Sequence, residues 1–146
     1  MNVSEIMASV VQTVDRSQSL SKVAKIMKEY DIGCVVVGAQ GRMEGLITDR
    51  DIVCRAVAGG RPMDGLKAGD VMTAKPAWCR QDDTVKQAAV IMEEKQVRRL
   101  PVLGYDDHLV GIVSMGDICT HAPHELAGEL IGEVSRPEHR DLAETA

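Results

Sequence analysis

Aromatic side chains and positive charge are both scarce in this sequence of 146 residues. Trp78, Tyr30 and Tyr105 are its only aromatic residues, and its formal net charge is −5. Nucleic-acid-binding proteins usually present a basic surface, and those that bind single strands stack bases on aromatic rings. The composition therefore argues against nucleic acid as a partner and favours a small ligand or another protein.

Further absences narrow the class of protein. No apolar run approaches the roughly 18 residues that span a bilayer, so we expect no membrane partner. The first residues include Glu5 and no basic flank, which is not the pattern of a secretory signal, so we expect a cytoplasmic protein. The cysteines form no CxxC pair, which argues against a disulfide framework or a zinc ribbon. They are Cys34, Cys54, Cys79 and Cys119.

Motifs of catalysis are missing as well. The sequence has no GxxxxGKS/T phosphate loop and no acid pair in a recognisable hydrolytic setting. Cys54 and Cys79 have no histidine nearby in the sequence, so neither is predicted to be a nucleophile. We therefore expect no enzymatic activity and no required cofactor.

The sequence contains one short motif twice, and each copy is called a phrase below. Residues 45–52 read GLITDRDI and residues 111–118 read GIVSMGDI, each with a glycine, a short apolar stretch, a hydroxyl and an acid three residues later. Thr48 and Ser114 are 66 positions apart, as are Asp51 and Asp117. An offset of 65 aligns earlier pairs, among them Met7 with Met72, Ala24 with Ala89, Met27 with Met92 and Val37 with Val102. The chain is therefore an internal duplication with one residue inserted at the second hairpin.

Within each copy the hydrophobic period changes in the same order. Copy one predicts a strand around residues 10–14, a helix over 20–30 capped by Ser17 or Ser19, and strands over 34–37 and 44–48. A turn at Gln40 and Gly41 joins these strands, and a helix over about 50–58 follows. Copy two predicts a helix from Val85, strands over 100–103 and 109–114, and a helix from about Met115.

The predicted fold class is α/β (α+β), built from tandem β-α-β-β-α repeats. We expect the two repeats to pack sheet to sheet around a pseudo-twofold axis and to form two equivalent clefts. Residues 1–66 are assigned to repeat one, residues 67–122 to repeat two and residues 123–146 to a C-terminal helix and tail. Pro123 opens that helix, and Leu126, Leu130, Ile131 and Val134 form its apolar stripe. The stripe either folds over the module or meets another subunit, and a homodimer is predicted.

The repeated hydroxyl and acid support two interpretations. A hydroxyl followed three residues later by an acid, where a strand runs into a helix, is the pattern of a capping box. The same junction gathers free N–H groups and positive dipole, which suit a phosphate, while an acid suits the two hydroxyls of a ribose. The two roles are compatible, and the duplication favours ligand binding.

The repeat order, with the phrases DVMT, VRRLPV and GLITDRDI and the GxxSxxD that ends at Asp117, closely resembles the cystathionine-β-synthase (CBS) domain pair, or Bateman module. The resemblance covers about Val3 to Ala122. It implies binding of adenosine-containing ligands such as AMP, ADP, ATP, S-adenosylmethionine or NAD, with the hydroxyl on phosphate and the acid on ribose. It also implies a regulatory module that signals by a shift between its lobes or to a downstream protein, which the sequence does not identify.

The resemblance places two ligand sites on this chain. Site one comprises Val10, Val11, Gln12, Ile32, Gly33, Thr48, Arg50 and Asp51. Site two comprises Lys75, Pro76, Ala77, Val97, Arg98, Arg99, Ser114 and Asp117. Copy two has more basic groups, so we expect it to favour the more phosphorylated ligand, with Arg50 partly compensating in copy one.

Two alternatives from other classes are a ligand-free interaction module and a metal or redox stress protein. The second would use Cys119, His121 and His124, which lie within one or two helical turns, together with His139. A cluster of surface histidines at a helix junction explains the same residues without a metal.

Overall fold

The computed structural model describes residues 1–136 and shows a mixed α/β fold with two β-sheets. Its contacts divide the chain into two compact units. The Thr48 unit comprises Ser9–Pro76 and Gly104–Val110. The Ser114 unit comprises Met1–Ala8, Ala77–Leu103 and the described part of Gly111–Ala146. Each unit therefore combines residues from both sequence repeats.

The Thr48 unit is built on a four-stranded sheet in the order β1-β2-β3-β4. Its strands are β1 (Thr13–Val14), β2 (Cys34–Ala39), β3 (Arg42–Thr48) and β4 (Thr73–Ala74). β1 runs parallel to β2, and the other neighbours are antiparallel. The predicted turn joins β2 to β3, with φ of +55° at Gln40 and +76° at Gly41. Two consecutive positive φ angles suit the right-handed twist of a hairpin.

The long helix of the Thr48 unit is α1 (Leu20–Tyr30). Of the two predicted caps, Ser19 is the one used, since its Oγ accepts a hydrogen bond from Lys22 N at 3.2 Å. Ser17 instead donates to Asp15. The apolar face of α1 covers alternate residues of the sheet, and this core includes Val14, Leu20, Val23, Met27, Val35, Val37, Ile47 and Ile52. Burying a side chain of this size contributes about 1.5 to 3 kcal/mol.

The helix predicted over about 50–58 differs in its winding. One turn of α-helix, α2 (Asp49–Asp51), continues as a π-helix over Ile52–Val57. Ala58 N donates to Val53 O, five residues back, at 2.8 Å. The hydrophobic pattern predicted the extent of this helix but not its wider turns. A short helix, α3 (Ala68–Val71), comes next in the chain.

The Ser114 unit holds a three-stranded sheet in the order β5-β6-β7. Its strands are β5 (Cys79–Arg80), β6 (Arg99–Leu103) and β7 (Leu109–Ser114), and the first two residues of β7 are grouped with the Thr48 unit. Its helices are α4 (Val85–Lys95), α5 (Met115–His121) and α6 (His124–Val134), preceded in the chain by a 3-10 turn over Val3–Glu5. No helix in residues 1–136 has the length and apolar character needed to cross a membrane.

The opening segments of the two repeats are exchanged. Val3 N donates to Asp83 O at 2.9 Å, so residues 1–8 belong with the second repeat. Ala68 N donates to Gln18 O at 2.8 Å, so the segment that opens the second repeat belongs with the first. These backbone bonds satisfy groups that would otherwise be left unpaired at the edges of each unit.

The glycine that begins each repeated phrase is required by a close approach. A Cβ at Gly45 would lie 2.5 Å from the sulphur of Met72, and a Cβ at Gly111 would lie 2.6 Å from the sulphur of Met7. The matched methionines and the matched glycines therefore form one packing contact, made once in each unit.

The C-terminal helix α6 begins after Pro123, as predicted, and it folds over its own chain. Its buried residues, Ala127, Leu130 and Val134, lie among α4 and α5, and Gln96 Nε2 at the end of α4 donates to Glu133 O at 3.1 Å. Ile131, predicted to be part of the buried stripe, is 45% exposed. The apolar stripe of α6 is therefore covered largely within its own chain and does not by itself require a second subunit. The remainder of the predicted tail lies outside the described residues.

Candidate functional site

The hydroxyl and acid of the first phrase form a capping box at the start of α2. Thr48 Oγ1 accepts from Asp51 N at 3.2 Å, and Thr48 N donates to Asp51 Oδ2 at 3.0 Å. The Asp51 side chain is 17% exposed. In the described residues the Thr48 hydroxyl donates no hydrogen bond, so its proton is available to a ligand.

The second phrase forms the same box at the start of α5. Ser114 Oγ accepts from Asp117 N at 3.0 Å, and Ser114 N donates to Asp117 Oδ2 at 2.8 Å. The Ser114 hydroxyl also lies 2.8 Å from Asp117 Oδ2 and can donate its proton to it. Both boxes confirm the capping interpretation of the repeated pattern, which is compatible with a ligand at the same junction.

One more backbone bond is duplicated at each box. Asp49 N donates to Gly33 O at 3.0 Å, and Met115 N donates to Arg98 O at 2.8 Å. Each bond ties the segment before the central strand to the start of the helix. Gly33 thus lies beside Thr48 in one unit, and Arg98 lies beside Ser114 in the other.

The carboxylate of Asp51 has a cationic neighbour that the sequence did not single out. Arg55 Nε lies 3.8 Å from Asp51 Oδ1, and Arg55 Nη1 donates to Val71 O at 3.0 Å. The predicted site residue Arg50 is exposed and forms no ion pair in residues 1–136. The spacing of four residues between Asp51 and Arg55 is the signal that identifies such a pair on a helix.

The carboxylate of Asp117 is arranged differently. The residue that corresponds to Arg55 is His121, whose Nδ1 lies 2.9 Å from the backbone oxygen of Asp117. Within the described part of the chain Asp117 Oδ1 has no hydrogen-bond or ionic partner. This oxygen is free to accept a hydrogen bond from a ligand.

The predicted first-strand residues of site one lie before β1. Val10 is 82% exposed, and Gln12 O accepts from Val36 N at 3.1 Å. Val11 lines a cleft of about 370 Å³ together with Thr13, a residue that the sequence pattern did not indicate. The cleft is also lined by Ser9, Val36, Gly38, Ala39, Gln40, Gly41, Arg42, Leu109 and Val110.

The predicted residues of site two are divided between the units. Ala77, Val97, Arg98 and Arg99 belong to the Ser114 unit with Ser114 and Asp117, whereas Lys75 and Pro76 belong to the Thr48 unit. Lys75 has a φ of +50°, and its N donates to Glu44 O on β3 at 3.4 Å. In the Ser114 unit, therefore, the basic residues among those predicted for site two are Arg98 and Arg99.

The candidate metal ligands do not come together. No group of three or more histidine, cysteine, aspartate or glutamate side chains in residues 1–136 is arranged to hold a metal ion. Cys119 Sγ lies 3.9 Å from Ala127 O, and His121 Nδ1 contacts its own helix. His139 lies outside the described residues. Within residues 1–136, the alternative of a metal cluster at Cys119, His121 and His124 is therefore not supported.

Cys79, one of the two cysteines considered as a nucleophile, lies in the core of the Ser114 unit. Cys79 is buried, and desolvation, with a contribution from the nearby Asp83 carboxylate, raises the pKa of its thiol to about 12. A buried thiol of this kind is inert as a nucleophile.

Two capping boxes at equivalent strand-to-helix junctions, each within a duplicated α/β framework, define a tandem-repeat domain pair. The family model of the CBS domain matches residues 3–57 and 68–124. The chain belongs to the CBS domain family and carries two copies of the domain.

A relative with a similar length supports this assignment. The CBS domain-containing protein YhcV of Bacillus subtilis (strain 168) is 33% identical over 136 residues, which cover 92% of this chain and 95% of that protein.

Solved structures of CBS proteins share the fold. Hypoxic Response Protein I, described with two coordinated zinc ions, is 34% identical with a TM-score of 0.75, over 84% of this chain and 100% of that one. The CBS domain pair of protein MJ0100, in complex with 5′-methylthioadenosine and S-adenosyl-L-methionine, is 25% identical with a TM-score of 0.74. That match covers 82% of this chain and 94% of the other.

Proposed function

We propose that this protein is a non-catalytic regulatory module that binds adenosine-containing ligands and signals their presence by a conformational change. The observation that supports this most directly is the duplicated box, which presents a partly buried carboxylate and a hydroxyl at the start of a helix in each unit. The MJ0100 pair, solved in complex with 5′-methylthioadenosine and S-adenosyl-L-methionine, supports an adenosine-containing ligand for this chain.

The chemistry of each box suits a ribose with an attached phosphate. A carboxylate can accept hydrogen bonds from the two ribose hydroxyls, and each charge-assisted bond contributes about 1.5 to 3 kcal/mol. The Thr48 hydroxyl can donate to a phosphate oxygen without breaking its cap, because it accepts rather than donates in the box. AMP, ADP, ATP, S-adenosylmethionine and NAD all contain the adenosine that this arrangement would recognise.

The two units would differ in the phosphate they prefer. Arg98 is joined through its backbone to the helix start beside Ser114, and Arg99 is the first residue of β6. Gly33 and Cys34 take these places in the Thr48 unit. We infer that the Ser114 unit favours the more phosphorylated ligand, because guanidinium groups pair well with phosphate.

The module would act in the cytoplasm, form a homodimer and pass its signal to a downstream protein. Sedimentation of the full chain with and without ligand would test the dimer.

Calorimetric titration with AMP, ATP and S-adenosylmethionine tests the function itself. We expect saturable binding, and a matching thermal shift, since a ligand at a hundred times its dissociation constant stabilises the folded state by about 2.7 kcal/mol. If none of these ligands, nor NAD, binds at millimolar concentration, the proposal fails and the chain is better described as a ligand-free interaction module.

A further inference from the structure

One arginine links the acid of the first capping box to the segment that opens the second repeat. Arg55 Nε lies 3.8 Å from Asp51 Oδ1, and Arg55 Nη1 donates to Val71 O at 3.0 Å. Val71 belongs to residues 67–74, which are part of the Thr48 unit although they begin the second repeat. A single guanidinium therefore contacts both the carboxylate proposed to hold a ribose and the backbone of an exchanged segment.

The segment of residues 67–74 also contacts the first phrase at its beginning. Its strand β4 is antiparallel to β3, and one of its partners there is Gly45. Met72 packs its sulphur against the same glycine, and Val71 is fully buried. The segment is therefore held at the start of the phrase by the sheet, and at the helix that follows the phrase by Arg55.

Asp51 offers a ligand the same oxygen that faces Arg55. Its Oδ2 already accepts from Thr48 N at 3.0 Å, so Oδ1 is the less occupied oxygen. The ion pair across 3.8 Å is weak, because the Arg55 side chain is 48% exposed and water screens the attraction. A ribose hydroxyl that donates at about 2.7 Å competes well with such a pair. An arginine freed at one end regains rotamer freedom and holds Val71 O less firmly.

The second box has no such link. His121 takes the place of Arg55, and its Nδ1 lies 2.9 Å from the backbone oxygen of Asp117, within its own helix. In residues 1–136 it makes no bond to Ile6, the residue that corresponds to Val71 at the offset of 65. The link is therefore a property of the Thr48 unit.

We propose that Arg55 is a positioning residue that couples a ligand at Asp51 to residues 67–74. Without ligand the guanidinium ties this segment to the box, and a ribose hydroxyl at Oδ1 displaces it and loosens the segment. The chain then continues into Ala77, where the Ser114 unit resumes. This inference rests on the proposed function and adds to it a route by which the first site changes the chain that leads into the second repeat. The coupling is reciprocal, so the link lowers the affinity of the ligand that must displace it.

Affinity measurements test the competition at Asp51. The probe is 5′-methylthioadenosine, which contains adenosine but no phosphate, so any attraction of Arg55 for a phosphate is excluded. Arg55→Met keeps the apolar stem and removes both contacts. It should bind the probe about threefold more tightly, as expected for loss of an exposed ion pair. Both chains carry Asp117→Asn, so that calorimetry reports on the Thr48 unit.

The matched control is His121→Met, measured in chains that carry Asp51→Asn. Because His121 contacts its own helix rather than the carboxylate of Asp117, this change should leave the affinity of the Ser114 unit unaltered.

Hydrogen exchange of residues 67–74, followed by mass spectrometry, tests the other end of the link. In the wild type the backbone amides of this segment should exchange faster with saturating 5′-methylthioadenosine than without it. Arg55→Met should exchange fast in both conditions. Arg55→Lys keeps the charge but not the second donor, so it should keep the wild-type affinity and show the fast exchange.

Thermal melting checks that the variants fold, and if Arg55→Met does not, Arg55→Lys and the wild-type exchange decide the matter. Affinity of Arg55→Met that is equal to or weaker than that of its parent would overturn the coupling alone. Exchange of residues 67–74 that ligand leaves unchanged or slows, or exchange in Arg55→Lys as slow as in the wild type, would do the same. Absence of any binding by calorimetry, with AMP, ATP and S-adenosylmethionine included, would overturn the proposed function and the coupling together.

Discussion

The two units hold the same capping box, but the carboxylates of the boxes have different neighbours. Asp51 Oδ1 faces Arg55 at 3.8 Å, whereas Asp117 Oδ1 has no partner within residues 1–136. The hydroxyls also differ. The Ser114 hydroxyl can donate a hydrogen bond to Asp117, whereas the Thr48 hydroxyl donates none within residues 1–136. One unit therefore offers a free hydroxyl proton and the other a free carboxylate oxygen.

The capping box holds the backbone at the helix start in the same way in both units. The residue four positions beyond the acid differs, and with it the polar surroundings of the acid. Arg55 and His121 occupy corresponding positions and make different contacts. The two repeats therefore keep the same helix start while the polar neighbours of the acid differ.

The largest expected effect is on ligand affinity after the acids are changed. Asp51→Asn and Asp117→Asn each keep an acceptor for the cap and lose the charge, so each should weaken nucleotide binding about tenfold or more at one site. We expect the loss to be larger for Asp117, whose free oxygen has no competing cation. Calorimetry measures the affinities, and equal losses in the two variants would contradict the difference between the units.

Alanine at either acid separates capping from binding. Asp51→Ala and Asp117→Ala remove the cap acceptor as well as the charge, so each should lower the free energy of unfolding by about 1 kcal/mol more than the asparagine variant. Urea unfolding gives the comparison. Loss of stability with unchanged affinity would mean that the boxes are caps only.

An added methyl group at Gly45 or at Gly111 should lower the free energy of unfolding by a similar amount. Gly45→Ala places a Cβ 2.9 Å from Thr73 O, and Gly111→Ala places one 2.8 Å from Ala8 O, in addition to the methionine contacts. Overpacking of this kind costs about 1 to 3 kcal/mol. Urea unfolding of the two variants should show similar losses, and Gly128→Ala, at a position with open space, serves as the control.

The hydroxyls of Thr48 and Ser114 should contribute less to the free energy of unfolding than the glycine contacts do. Thr48→Ala and Ser114→Ala each lose an N-cap, at a cost of about 1 kcal/mol. Ser114→Ala should cost somewhat more, because the bond to Asp117 Oδ2 is lost as well. Thermal melting of both variants at matched protein concentration measures the difference, and a larger loss for Thr48→Ala would contradict it.

The smallest expected effect is a pH dependence confined to the Ser114 unit. Desolvation, and then the neighbouring carboxylates of Glu129, Glu133 and Glu94, raise the pKa of Glu93 above its ordinary value of 4.5. A raised folded-state pKa means that the folded chain binds this proton more tightly, so stability falls as the pH rises above the ordinary value. Lys28 holds the corresponding position of α1, so no such repulsion is expected there.

Melting curves between about pH 4 and pH 7 should therefore show a smaller loss of stability for Glu93→Gln than for the wild type. Lys28→Gln is the matched control, and it should not flatten the profile. An unchanged profile in Glu93→Gln would show that the carboxylate repulsion has no effect on folding.

Much of the fold could be predicted from the sequence because the relevant signals are local. The turn at Gln40 and Gly41, the cap at Ser19 and both hydroxyl–acid boxes depend on residues within four positions of one another. Local backbone geometry and short-range hydrogen bonds determine these features. The repeat supplies the hydroxyl–acid box twice.

The features that sequence reasoning missed depend on distant partners. The exchange of the opening segments joins Val3 to Asp83, and Gln96 is paired with Glu133 on α6. The π-helical winding of Ile52–Val57 changes the hydrogen bonds without changing the apolar pattern enough to be detected.

The exchanged segments have a consequence for the order in which the chain can fold during synthesis. Residues 1–8 are synthesised well before their backbone partners, which include Asp83 and Ile112. Residues 67–74 are synthesised directly after the first repeat and can complete its sheet at once. The Thr48 unit can therefore form most of its structure while residues 1–8 are still unpaired. The Ser114 unit can form its complete sheet only after β7 has been translated.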